Sequence, residues 1–333
     1  PMTKQALDCP KCQFPIDWDK GIDAKFTHLG KLRNLVKILS CQALVDARSG
    51  RYDQALEKIE LAFGVSKVTK DEPSLISILH VMADCQSVSK NLRSILYNKT
   101  PNDSQAKMLF DMLASNDFRS EYVNALKGER AMGLWLFDNV IYHAYLAHIK
   151  SSDEGSNENA KETQTKVFCY IIRPITYADA CLYMKYMSLG INYAKKPYKD
   201  NYSEYEKINT DNLPRYSFFS SMLLPMFSES SATVDLRQSQ IEINQILLAA
   251  LVYKSHYGAY PASITELKSK IKWNLPLDPF TGRDYIYKRT AKGFRVYSIG
   301  PDMKDDGGKP IEHNRRDYFS EIEAGDVLID WDE

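Results

Sequence analysis

Cys9 and Cys12 form a Cys-Pro-Lys-Cys pair, the closest spacing of two thiols in the sequence. Such a CxxC pair can be half of a zinc site, a redox pair or a local disulfide. Structural zinc needs four ligands, and no second CxxC or HxxxH follows, while Phe14-Pro15 stands where a redox pair opens a helix. We therefore interpret Cys9 and Cys12 as a disulfide or as two thiols without a catalytic role. The other four cysteines lie in apolar helical patterns and are predicted to be buried.

The usual catalytic signatures do not occur in the chain. It contains no GxSxG, no HExxH, no phosphate-binding GxxxxGK[ST] and no GxGxxG after a predicted strand. Asp111, Glu121 and Glu129 are spread over predicted helices without a paired arrangement. His143 and His148 are five residues apart and do not share a helix face, so they predict no metal site. We favour a non-catalytic protein, with a hydrolase built from dispersed carboxylates as the less favoured alternative.

Composition indicates an ordinary globular protein. Lys plus Arg and Asp plus Glu each total 43, a balance that does not favour nucleic acid as a partner. The length of 333 residues indicates two domains, and 44% hydrophobic residues are enough for a substantial core. The most apolar stretch, 131–148, is interrupted by Asp138 and Asn139 and is not predicted to span a membrane. Because Pro1-Met2 is not a natural start, we expect that a leader or membrane anchor precedes residue 1.

The stretch 235–308 has the clearest succession of predicted elements. Asp235 is predicted to be the N-cap of a long amphipathic helix with one apolar stripe. Gly258 suits a left-handed C-cap, because glycine adopts that conformation without steric cost. Ser263 and Glu266 then fit the capping box of a short second helix.

A turn and a hairpin are predicted to follow. Pro276 and Pro279 forbid a helix around Asp278. Two runs rich in aromatic and β-branched residues, 284–288 and 294–299, flank a short polar segment and predict an antiparallel hairpin. An acidic, glycine-rich loop comes next.

This order of elements resembles the globular domain of the major pseudopilin of type II secretion, the protein G family. The resemblance covers roughly the last hundred residues and rests on uncommon residues in the right order: Tyr253, Gly258, Tyr260-Pro261, Leu267, Leu275-Pro276, Asp278-Pro279, Gly282, Tyr285, Tyr287, Tyr297-Ser298, Gly300, Asp302, Gly307-Gly308, Asp326 and Trp331. The apolar membrane-spanning helix that begins a pseudopilin has no counterpart before Asp235. The resemblance thus implies an appended module that does not form a fibre through this helix.

In that family the loop after the hairpin binds calcium. The resemblance implies Asp302 and Asp326 as ligands, with Asp305 and Asp306 as nearby candidates, and a hard cation suits such oxygen donors. The chain departs from the family by an insertion at about 309–324, which carries Arg315 and Arg316. Arginines there favour the alternative, a solvated acidic loop held by salt bridges.

The first 230 residues are predicted to form a helical domain. The phrase SGRYDQALEKIELA, at 49–62, resembles one tetratricopeptide helix pair, without a convincing second copy. Residues 151–165 are polar and predict a linker or loop. The expected fold is mostly α, with a helical domain at 1–230 and a pseudopilin-like α+β domain at 231–333, in which a long helix packs on a small antiparallel sheet.

These features predict a structural protein. The whole chain resembles uncharacterised envelope proteins of planctomycete-type bacteria. We expect a non-catalytic protein on the periplasmic or extracellular side of the cell envelope, with protein partners and a role in assembly or secretion. Membrane association is expected only through an anchor outside this chain. The alternative is a helical module that binds a peptide or small ligand in a groove of the first 230 residues. A continuous packed interface between the two parts favours the first hypothesis, and a deep apolar groove favours the second.

Overall fold

A computed structural model describes residues 2–9, 11–150, 158–201, 213–224, 226–311 and 325–332 of the chain. It is 65% helical, with a small three-stranded antiparallel sheet near the C-terminus. This confirms the predicted fold class, a mostly α-helical chain with a C-terminal α+β module. Among the described residues, no helix combines the length and apolar character that crossing a membrane requires.

The first half of the chain is a succession of packed helices. They are α1 (Met2–Leu7), a 3-10 turn (Trp18–Asp23), α2 (Thr27–Arg48), α3 (Tyr52–Ser66), α4 (Leu75–Asn98), α5 (Asp103–Ala114) and α6 (Phe118–Lys150). The resemblance to a tetratricopeptide pair falls on α2 and α3, which pack against each other and against α4. Gly50 joins them in the left-handed conformation, with φ of 77°.

Two local features shape this half. The Leu7 side chain of α1 lies over Gly64 of α3, where a Cβ would be 2.7 Å from Leu7 Cδ1. Glycine therefore leaves the space in which Leu7 packs. The chain breaks between α5 and α6, where Asn116 Nδ2 donates to the carbonyl of Leu113 and Asp117 Oδ1 accepts the amide of Ser120.

The predicted linker at 151–165 was wrong from residue 158 onward, and 151–157 lie outside the described residues. Helix α7 (Glu158–Ala194) begins inside that segment and continues through Pro174. Proline lacks an amide hydrogen, so the helix forgoes one hydrogen bond there. As a whole, α7 packs along α6.

Three further helices lead to the sheet: α8 (Phe218–Leu223), α9 (Met226–Tyr257) and α10 (Ile264–Lys270). The prediction that Asp235 caps α9 was wrong, because α9 begins at Met226 and Asp235 lies in its interior. The predicted end was right: Gly258 has φ of 76° and its amide bonds to the carbonyl of Lys254. Ser263 caps α10 through the amide of Glu266, whose own carboxylate accepts the amide of Ala262.

The central part of helix α9, from Ile241 to Tyr253, is buried on nearly all sides rather than along one stripe. Residues 255–257 at its end are exposed. It packs against α4, α5 and α6 and also against α10, β2 and β3. One continuous hydrophobic core therefore runs from Val36 in α2 to Trp331 in the last strand. The division at residue 230 stays a prediction.

The sheet has the order β1-β2-β3. Strands β1 (Ile286–Arg289) and β2 (Gly293–Ser298) form the predicted hairpin, and β3 (Val327–Asp332) pairs antiparallel with the other side of β2. Gly293 permits this close pairing, because a Cβ there would lie 1.7 Å from the carbonyl oxygen of Trp331. The last strand thus closes the sheet beside the hairpin.

Candidate functional site: the acidic loop and the carboxylates around the long helix

The acidic loop leaves β2 through a tight turn. Gly300 has φ of 75°, and a Cβ there would lie 2.4 Å from the carbonyl oxygen of Gly325. Only glycine fits this approach, which brings the start of the loop against the segment that precedes β3. Three of the predicted ligands, Asp302, Asp305 and Asp306, follow on the loop, and Asp326 lies at the start of the returning strand.

Asp326 ties the loop to the sheet. Its side chain is buried and accepts the amide of Gly308 at 2.6 Å and that of Asp306 at 3.4 Å. Its own amide donates to the carbonyl of Lys309 at 2.7 Å. Burial raises the pKa of Asp326, while the two amides act against this rise. The carboxylate therefore serves as an internal acceptor for the loop backbone.

The other acidic side chains bond within the loop. Asp305 Oδ1 accepts the amide of Gly307 at 2.9 Å and the hydroxyl of Tyr297 at 3.2 Å. Asp302 Oδ1 accepts the amide of Lys304 at 3.2 Å.

The carboxylates of Asp302, Asp305 and Asp326 thus accept bonds from N–H and O–H donors, and Asp306 contributes its backbone amide. Over the described ranges, no three His, Cys, Asp or Glu side chains are grouped as metal ligands. Calcium binding stays a prediction, which requires some of these bonds to rearrange. Arg315 and Arg316, the basis of the salt-bridge alternative, lie outside the described residues.

A second acidic set surrounds α9, and its role was not foreseen. Asp235 is fully buried, forms an ion pair with Arg119 of α6 and accepts the amide of Tyr198 at 2.7 Å. Burial raises its pKa to about 6, although the guanidinium of Arg119 lowers it. A buried carboxylate needs such partners, because desolvation disfavours its charged form. These partners explain why Asp235 is an interior residue rather than a cap.

Glu242 lies two turns further along α9 and joins the helix to the module. Its carboxylate accepts the hydroxyl of Tyr285 at 2.5 Å and the amide group of Gln238 at 2.8 Å. Burial raises the pKa of Glu242 to about 7, and the charges of Asp235 and Asp278 raise it further. The signal in the sequence was a glutamate flanked directly by two isoleucines, Ile241 and Ile243.

Asp278 holds the proline-rich turn to the sheet. Oδ1 accepts the hydroxyl of Ser298 at 2.8 Å and the amide of Phe280 at 2.9 Å. Burial raises its pKa as well. The carboxylates of Asp235 and Glu242 fix α9 against distant segments of the chain, whereas Asp278 joins the proline-rich turn to β2.

The dispersed carboxylates do not come together as a catalytic pair. Glu129 accepts the amide of Leu75 at 2.8 Å, at the N-terminus of α4. Asp111 is exposed and pairs with Lys107 one turn earlier on α5. Glu121 is partly buried near Lys67, and burial raises its pKa to about 7. Glu121 and Glu129 are separated by eight residues of α6, about 12 Å along the helix axis.

Cys9 and Cys12 are free, exposed thiols. Burial, the charge of Glu72 and the neighbouring Cys9 raise the pKa of Cys12. A raised pKa reduces the thiolate fraction and so opposes nucleophilic or redox reactivity. His143 and His148 belong to the part of α6 whose side chains lie outside the described residues.

Comparison of the chain with protein-family models, with curated proteins and with solved structures finds no match.

Proposed function

We propose that this chain is a non-catalytic protein of the bacterial cell envelope, in which a helical region presents a pseudopilin-like module for assembly or secretion-related contacts. The observation that carries the proposal is the burial of the central part of α9 on nearly all sides. A helix shared by the helical bundle and the sheet joins both in one core. A shared core of this kind keeps the two parts in a fixed relative position under load, as a scaffold requires, because packed interiors deform little.

The residues behind the pseudopilin resemblance support the module. Although they are spread over about a hundred positions, several meet as bonded pairs. Trp331 Nε1 donates to the hydroxyl of Tyr260 at 3.0 Å, and Ser298 donates to Asp278 at 2.8 Å. Uncommon residues that contact one another across the fold are expected where one fold requires them together.

The arrangement of the acids supports a non-catalytic role. General acid–base catalysis needs a carboxyl group within reach of a substrate. Asp235, Glu242 and Asp278 instead bond to protein groups inside the fold.

The groove-binding alternative has weaker support. A cavity on the helical part, between α1, α3 and α5, has a volume of about 250 Å³. A peptide-binding groove is expected to be deep and mainly apolar. This cavity is lined by both signs of charge, including Lys4, Lys67, Glu57 and Glu60.

Thiol accessibility tests the proposed location. The prediction that the four other cysteines are buried was wrong for Cys41 and Cys181, which are exposed, and right for Cys85, while the side chain of Cys169 lies outside the described part of the chain. A variant whose only cysteine is Cys41 is produced in the bacterium that makes this protein and treated with a membrane-impermeant maleimide. We expect labelling in cells whose inner membrane is intact, after permeabilisation of any outer membrane.

The matched control keeps Cys85 alone, which we expect to react only after unfolding because it is fully enclosed. Labelling of Cys41 that requires lysis of the inner membrane would place the chain in the cytoplasm and reject the envelope proposal.

A further inference from the structure

A polar cavity lies where α4, α9 and β3 meet. Its volume is about 210 Å³, and it is half open to solvent. Three consecutive residues of β3, Val327–Ile329, line it. Because consecutive side chains of a strand point to opposite faces, contact with all three means that the cavity borders the strand edge. Arg93 of α4 lines the opposite wall.

Arg93 and Asp326 both line this cavity, and Arg93 bonds to an amide rather than to a carboxylate. Its Nη1 donates to Asn244 Oδ1 at 3.3 Å, and no carboxylate of the described residues lies within ion-pair distance of it. Burial lowers the pKa of Arg93, with no acidic neighbour to offset it. A guanidinium has five N–H donors in a planar fork, so four remain for another group.

Two amide side chains are oriented beside Arg93. Arg237 donates to Gln86 Oε1 at 2.8 Å and to Gln240 Oε1 at 3.0 Å. Both oxygens are thereby engaged, so the NH₂ groups are the polar atoms of Gln86 and Gln240 that are left to donate, and both residues line the cavity. The cavity therefore gathers N–H donors around one cation, with Ile243 and Ile329 as apolar lining.

We propose that this cavity is a binding site for a small organic acid, whose carboxylate is held by Arg93 and by the amide groups of Gln86 and Gln240. A planar carboxylate matches the guanidinium fork, and the apolar lining suits the carbon body of the ligand. A dianion such as phosphate is disfavoured, because the cavity offers one unpaired guanidinium and the Asp326 carboxylate also lines it. This site does not depend on the proposed scaffold role, but it shares Asp326 with the predicted calcium loop.

Calorimetric titration of the full chain tests the site. The probes are N-acetylglycine, its neutral analogue N-acetylglycinamide, and inorganic phosphate. We expect N-acetylglycine to bind at one site and the other two to bind at least tenfold more weakly. Arg93→Met keeps the aliphatic stem and removes the charge, and should weaken N-acetylglycine roughly 10- to 100-fold, the usual loss for a hydrogen bond to a charged group.

The matched control is Lys90→Ala, which removes an exposed charge one turn away on α4 and should change the affinity less than about twofold. Equal losses in both variants, or no binding of N-acetylglycine, would overturn the site. Tighter binding of phosphate would overturn the ligand class. Tighter binding of N-acetyl-tetraglycine would show a chain terminus as ligand and overturn the small-molecule assignment. Should Arg93→Met fail to fold, Arg93→Lys replaces it, because lysine keeps the charge and loses the fork, and an unchanged affinity would reject the bidentate contact.

Discussion

Single carboxylates decide how α9 is held. Asp235 contacts α6 and the segment at Tyr198, whereas Glu242 contacts Tyr285 just before β1. Burial removes each of these two carboxylates from water, and this desolvation raises its pKa. Buried polar groups that find partners in one arrangement alone disfavour other arrangements of the same apolar surfaces. The two carboxylates therefore select one orientation of α9 among those that its apolar surface alone would allow.

The raised pKa of Glu242 predicts a pH dependence of stability. The carboxyl keeps its proton up to about pH 7 in the folded chain, but loses it near pH 4.5 when unfolded. The folded state therefore binds more protons between these values, and stability falls as pH rises from 4.5 to 7. Glu242→Gln stays neutral and accepts the Tyr285 bond. Relative to the native chain, its free energy of unfolding should rise by up to about 3 kcal/mol between pH 5 and pH 8.

Urea unfolding at several pH values measures this difference. Glu60→Gln, an exposed site on α3, is the matched control and should track the native chain at every pH. Asp235 and Glu121 also have raised pKa values, so the native chain has a slope of its own, and the comparison between variants isolates Glu242. A constant difference across this pH range would mean that Glu242 is ionised in the folded chain.

The acidic loop shows how one element joins others. It begins at the Gly300 turn, passes through Asp305 and Gly308, and is fastened by Asp326 to the start of β3. The same carboxylates that resemble calcium ligands here hold backbone amides. Calcium requires six to eight oxygen ligands together. Binding of calcium would therefore depend on the conformation of the whole acidic loop rather than on one of its residues.

If the loop binds calcium, the metal raises the melting temperature. At about ten times its Kd, calcium should stabilise the folded chain by about 1.4 kcal/mol. Asp302→Asn should abolish the shift and leave the calcium-free melting temperature almost unchanged, because Asp302 holds an exposed amide. Asp326→Asn should lower the melting temperature even without calcium, because it weakens the bonds to Gly308 and Asp306. Scanning calorimetry with calcium and with a chelator measures these melting temperatures. Identical curves for the native chain under both conditions would reject the calcium site.

At the scale of the whole molecule, the core is shared. Side chains from the helical bundle and from the module contact each other directly, as Phe110 packs on Trp273 and Tyr97 on Trp331. Together with the burial of α9, these contacts join the parts that the sequence suggested were separate domains. A shared core makes unfolding of one part costly for the other.

We therefore expect one cooperative unfolding transition. Far-ultraviolet circular dichroism follows the helices, and tryptophan fluorescence includes Trp273 and Trp331 of the module; both signals should give the same urea midpoint. Leu247→Ala, at a fully buried site of α9, should lower the free energy of unfolding by about 2–5 kcal/mol in both signals.

The control is Leu277→Ala, whose side chain is 53% exposed and which should change stability little. Two different urea midpoints, or an effect of Leu247→Ala on one signal alone, would show that the two parts unfold as independent domains.

The sequence by itself determined the local elements of the module. The left-handed Gly258, the Ser263 cap and the hairpin are predictable because each depends on residues a few positions apart. It also determined the mostly helical class, through the spacing of apolar residues. The start of α7 inside a polar segment was not predictable in this way, because the segment lacks the apolar spacing on which the prediction of a helix depends.

Only the tertiary structure decided which groups meet. The sequence predicts Asp235 as a helix cap, because its ion-pair partner, Arg119, lies 116 residues away and cannot be recognised from local spacing. The bond from Tyr285 to Glu242 and the cavity at Arg93 likewise depend on how α9 packs against distant segments. A capping preference of about 1 kcal/mol yields to a buried ion pair and a continuous core, since these combine many contacts that local spacing does not reveal.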